Sequence, residues 1–207
     1  MEKENIKYIS VLKGYVEGIV TVDELKNIYF SDVDLQKYLN DNLPANIRNY
    51  AGIRLSNGDI NEVFKHFHWG TAFANSSLQD YIGRWLQGNG IAFNPTPIYK
   101  DRFSRLLDVL PDCVEGEQAE LLVEELIKSV PENLPKTKRN KLIKEKIKVT
   151  FHIDDGKKPS WVQGSDWPFS KTGRPLKYIS RKIDGDMVVF TFKDVDSGEM
   201  SEVREYF

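Results

Sequence analysis

The sequence predicts an α+β protein in which an N-terminal helical body packs against a small C-terminal antiparallel β-meander. Three observations predict it. Apolar residues recur at helical spacing through the first two-thirds of the chain, and from about residue 147 they alternate instead. The last quarter is also punctuated by the turn signals Asp155-Gly156, Asp184-Gly185 and Ser197-Gly198. The expected organisation is a helical domain over 1–135, a basic linker helix over 136–146 and a β-rich module over 147–207. Roughly 60 residues are marginal for independent stability, so the sheet is expected to lean on the helices.

Each element has its own signal. Tyr8, Leu12, Tyr15, Val16 and Ile19 form a first helical stripe, with Gly18 near its end. Thr21-Val-Asp-Glu24 is a capping box, in which threonine and glutamate side chains each satisfy an otherwise unpaired backbone donor. Val22, Leu25, Ile28 and Tyr29 follow it. Ser31 to Asp34 starts a third helix carrying Leu35, Tyr38 and Leu39. Residues 44–60, with Pro44, Gly52 and Gly58, place no element, and Ile60, Val63, Phe64 and Phe67 suggest a short helix.

A strong amphipathic helix opens at Ser77 and Asp80, carries Leu78, Tyr81, Ile82, Trp85 and Leu86, and closes at Gly88-Asn-Gly90. Asn94 to Pro97 is a stiff entry to the next, whose buried face is Tyr99, Phe103, Leu106, Leu107 and Leu110 before Pro111. Ala119, Leu122, Val123, Leu126, Ile127 and Val130 mark another, ended by Pro131. Ile147, Val149, Phe151 and Ile153 then alternate with polar residues, as in a half-buried strand. Leu176–Ile183 and Met187–Phe192 flank the Asp184-Gly185 hairpin, and a weak last strand ends near Phe207.

With 40% hydrophobic residues, 29% charged residues and a net charge of −2, the chain resembles neither a disordered segment nor a dedicated nucleic-acid binder. Cys113 is the lone cysteine and forms no intramolecular disulfide. The opening MEKENIKYIS is unlike a secretory leader, and no apolar run approaches the roughly 20 residues that span a bilayer. The expectation is a cytoplasmic protein with no membrane partner.

Charge is unevenly placed. Pro111 to Glu132 holds seven acidic residues against Lys128, and Lys136 to Lys148 holds seven basic residues against Glu145. The basic run is able to track a phosphate backbone, but its acidic neighbour would repel the same nucleic acid within a Debye length of about 8–10 Å. Leu142, Ile143 and Ile147 instead make it a solvated helix with an inward face. Glu117, Glu120 and Glu124 lie three and four apart and share one side of their helix. They read either as a soluble face, with Glu124 and Lys128 four residues apart, or as a docking surface for a basic partner.

No motif names a chemistry. His66 and His68 point about 200° apart on a helix and do not share a metal. Asp194 to Glu205 has the ends of a calcium loop, but Glu199 stands where the sharp bend needs glycine. Asp154/Asp155 and Asp184/Asp186 sit in turn sequences. There is no phosphate-binding loop, nucleophile elbow or dinucleotide fingerprint, so neither an enzyme nor a cofactor or metal is expected.

Two stretches resemble bacterial immunity proteins of polymorphic-toxin and contact-dependent inhibition systems. LKGYVEGIVTVDELKNIY, Leu12 to Tyr29, is similar to their helix–glycine–capped-helix opening. PSWVQGSDWP, Pro159 to Pro168, followed by GRPLKYIS, Gly173 to Ser180, is similar to a tryptophan-proline segment of small bacterial modules, some found in toxin-immunity neighbourhoods. The resemblance implies a non-enzymatic antidote that occludes a cognate protein toxin through its basic C-terminal toxin domain, with a nuclease as one candidate toxin class. Glu117, Glu120 and Glu124 are then the expected contacts. Trp161 and Trp167 read as anchors pinning an irregular loop, or as an aromatic hot spot. An interaction adaptor docking through the tryptophan loop and a hydrolase using the Asp-rich turns are the alternatives.

Overall fold

A computed structural model of the chain describes residues 3–43 and 60–207. Its elements are α1 (Lys3–Glu17), α2 (Val22–Ser31), α3 (Val33–Asn42), α4 (Ile60–Lys65), α5 (Ala72–Gly88), α6 (Ile98–Leu107), α7 (Glu117–Lys128), α8 (Lys136–Thr150), β1 (Lys177–Asp184), β2 (Met187–Lys193) and β3 (Met200–Tyr206). The layout is α+β, with helices first and a three-stranded antiparallel sheet in the order β1-β2-β3 last. Two compact units, Met1–Ser104 and Arg105–Phe207, divide within α6. The expected domain boundary at 135/136 falls inside the second unit, between α7 and α8. Residues 44–59, which include Pro44, Gly52 and Gly58, lie outside the described residues.

In the first unit, α1 packs on α5 through the predicted stripes: Leu12, Tyr15 and Val16 on one, Leu78, Ile82 and Leu86 on the other, all buried. Tyr29 and Phe64 stack at 4.7 Å between centroids, and Phe67 and Trp69 complete that aromatic group. The Thr21 capping box forms in both directions, the Thr21 hydroxyl accepting from Glu24 N–H and the Glu24 carboxylate from Thr21 N–H. Thr21→Ala is expected to cost about 1 kcal/mol of stability, the usual value of an N-cap, read by urea denaturation.

α3 starts inside the expected Ser31–Asp34 stretch, whereas α5 starts earlier than expected. α3 is capped by Asp32, which accepts from Leu35 N–H, while Ser31 closes α2. α5 begins at Ala72 because Thr71 caps it and the buried Asn75 amide donates to the carbonyls of Trp69 and Thr71. Polar Asn75 and Ser76 hide that first turn from a hydrophobic-periodicity reading.

The larger correction is at residues 147–153, where the last turn of α8, to Thr150, and a turn after it replace the expected strand. Ile143, Ile147 and Phe151 are four apart, so residues that alternate locally also form a helical stripe, and all three are buried. Val149, which a strand would bury beside Ile147, is 64% exposed. Extending an existing helix to Thr150 needs no new nucleation. The meander therefore has three strands. On β2 the side chains of Val188, Phe190 and Phe192 are buried, and the register sets Glu205 of β3 opposite Val188.

Candidate functional site

Three segments of the second unit meet around the tryptophan loop. Trp161 lies edge-on to Phe190 at 4.8 Å and stacks on Phe192 at 5.9 Å, and its indole N–H donates to the Cys113 carbonyl at 2.8 Å. Trp167 packs against Phe151 and Phe192, and its indole N–H donates to the Leu176 carbonyl. The Trp167 backbone N–H donates to the Glu115 carbonyl at 2.8 Å. Loop 161–167 and segment 113–115 are thus fastened together at both ends.

Glu205 fixes the loop from β3. Because its register position faces the buried side, the carboxylate is 2% exposed and meets the loop's own donors. It accepts from the backbone N–H groups of Val162 and Gln163 and from the Ser165 hydroxyl, the last at 2.6 Å. The Gln163 side chain donates to the Tyr206 carbonyl.

This arrangement brings Glu115 and Asp166, 51 residues apart in sequence, onto one exposed spot. Both carboxylates rest against glycine backbone. A Cβ on Gly116 would lie 2.8 Å from Asp166 Cγ, and one on Gly164 would lie 2.6 Å from Glu115 Oε2. Both glycines also have positive φ, 104° and 77°, so a side chain there is strained as well as crowded. Neither carboxylate has an ion-pair partner among the described residues. Partial burial raises the Glu115 pKa above the ordinary carboxylate value, and the negative charges of Glu205 and Asp166 raise it further. Glu117 and Glu120 begin α7 immediately beyond, where the helix N-terminus favours negative charge.

The residues singled out from sequence fall into two groups. Glu117 is exposed and Glu120 half-buried, next to Glu115, whereas Glu124 is buried and does not face solvent. Trp161 is half-buried and Trp167 buried, and both act as the loop's anchors. Asp166 lies inside the distinctive tryptophan segment, so its neighbourhood was visible in sequence. Its pairing with Glu115, and the burial of Glu205, depend on tertiary contacts that no local pattern encodes.

The Asp-rich turns lock their own backbones. Asp155 accepts from Lys157 N–H and faces Lys177, and Asp194 accepts from Asp196 N–H and the Ser197 hydroxyl. These bonds lower both pKa values, opposite to what a general acid needs. Cys113 is buried, which raises its thiol pKa and leaves less of the reactive thiolate. Among the described residues, no three His, Cys, Asp or Glu side chains are disposed around one metal ion.

Glu115 has a distinct stability signature. Its raised native pKa means the folded state holds more protons than the unfolded state just above the ordinary carboxylate range. Its contribution therefore falls as pH rises through that window. Glu115→Gln is expected to flatten this slope and to stabilise the protein at pH 7 by less than about 1 kcal/mol, as befits an exposed group. Thermal melts from pH 4 to 7 check it. Asp155 and Asp194, with lowered pKa values, act in the opposite sense at lower pH.

Comparison with family models, with curated proteins and with solved structures finds no match.

Proposed function

We propose that this chain is a non-enzymatic immunity protein that binds and neutralises a protein toxin through the acidic site centred on Glu115 and Asp166, with Glu117 and Glu120 at its margin. The observation that carries the reading is a pair of carboxylates, each resting against glycine backbone and with no ion-pair partner among the described residues. Repulsion raises the energy of the free protein there, and an incoming lysine or arginine relieves it. Binding energy is thus concentrated on a basic partner. A nuclease toxin fits this chemistry, because a surface that grips phosphates is basic. An acidic antidote seated on that surface blocks it without any reaction of its own.

Growth protection tests the reading. Cells expressing a toxin-like reading frame adjacent to this gene are expected to survive when the chain is co-expressed. Glu115→Gln with Asp166→Asn is expected to lower survival at least tenfold, the effect of about 1.4 kcal/mol of lost affinity. Full protection by the double variant would remove this site from the interface, and no protection by the wild type would refute the immunity reading.

A further inference from the structure

A second surface of the Arg105–Phe207 unit is an apolar groove whose α8 side is flanked by exposed lysines. Between α7 and α8 runs a groove of about 570 Å³, floored by Leu126, Val130, Pro131, Leu142 and Val149. Leu142 and Val149 are 37% and 64% exposed and seven residues apart, so they lie on one stripe of α8 about 10 Å long. Val149 is among the largest apolar exposures in this unit, yet it sits on a well-packed helix whose Ile143 and Ile147 are buried. Lys138, Lys141 and Lys148 are exposed along the adjoining outer side of the helix and have no ion-pair partner among the described residues. By contrast, Lys136 is paired with Asp108, and Lys146 donates to the Ser129 hydroxyl at the groove wall. Glu145 is the single acidic side chain on the groove's α8 rim.

We infer that this groove is a docking site for an acidic amphipathic helix of a partner protein. Two turns of such a helix would seat apolar side chains against Leu142 and Val149 and present carboxylates to Lys138, Lys141 and Lys148. The stripe sets the shape of the occupant, as apolar anchors about one and two turns apart, and the unpaired lysines set its charge. The site is independent of the acidic pair, prefers the opposite charge, and stands or falls separately from the immunity reading.

The test uses the full chain and two synthetic helical peptides of about four turns with the same leucine pattern. One carries glutamate and the other lysine at the remaining positions. Fluorescence anisotropy is expected to show the glutamate peptide binding at least about tenfold tighter, and weakening as salt rises. Lys141→Glu with Lys148→Glu should abolish that preference. Val149→Asp, at an exposed position and with circular dichroism confirming the fold, should lose binding of both peptides. Equal affinity for the two peptides, no binding of either, or unchanged binding by Val149→Asp would overturn the inference. A dimer dispersed by Val149→Asp would likewise overturn it, by assigning the groove to a second copy.

Discussion

Trp167→Ala is expected to cost about 3–5 kcal/mol, the range for removing a large buried aromatic side chain. Trp167 is 2% exposed and joins helix to sheet, since its ring meets Phe151 at the end of α8 and Phe192 in the central strand. Its indole N–H also occupies the Leu176 carbonyl, which the alanine variant leaves without that donor. With total stabilities of roughly 5–15 kcal/mol, one such substitution removes a large fraction of the whole. Urea denaturation followed by circular dichroism measures it. Trp161→Ala, at a half-buried position, is expected to cost less. Equal losses at the two positions would mean that packing around Trp167 is not what holds the unit together.

Glu205→Ala is expected to cost about 2–4 kcal/mol, from unmaking three hydrogen bonds in a partly buried setting. Val162 N–H, Gln163 N–H and the Ser165 hydroxyl all aim at one carboxylate, so the alanine variant takes their shared acceptor from the loop. The loss should therefore be local as well as global. Amide exchange at Val162 and Gln163 is expected to accelerate in the variant more than exchange in β2. Glu205→Gln keeps one acceptor oxygen and should recover part of the stability. An alanine variant as stable as the wild type would show that the loop is held by its tryptophans alone.

The helices of the first unit were legible because each carries its own instructions. The Thr21–Glu24 box is complete within four residues, and the Leu78–Leu86 stripe repeats within a single element. Asp184-Gly185 likewise specifies the β1–β2 hairpin locally. The reading failed where two periods coincide. From Ile147 onward the same side chains satisfy strand alternation and an i, i+4 stripe, and only the helix already formed upstream decides between them. The start of α5 is hidden from periodicity because its first turn is held by Thr71 and Asn75, whose work is hydrogen bonding.

The candidate site was half legible. Glu117 and Glu120 followed from charge counting along one helix, but Glu124 turns inward on the same helix and is 6% exposed. Glu115 and Asp166 meet only because Trp161 and Trp167 clamp their loop to segment 113–115. Two glycines let the carboxylates lie flat against the backbone. In the sequence Glu205 is only the last position of an incomplete calcium-loop pattern, and its role follows from strand register.

In the proposed role, the pair Glu115 and Asp166 selects a basic protein partner. The most direct measurement is capture from a lysate of the source cells, with the wild-type chain and the Glu115→Gln, Asp166→Asn variant run side by side at low salt and at about 0.5 M salt, where the Debye length falls to roughly 4 Å. One basic, toxin-like protein is expected on the wild type, strongly depleted on the variant, with the difference between the two narrowing at high salt. The same proteins retained equally by both chains, or an acidic protein lost with the pair, would contradict it.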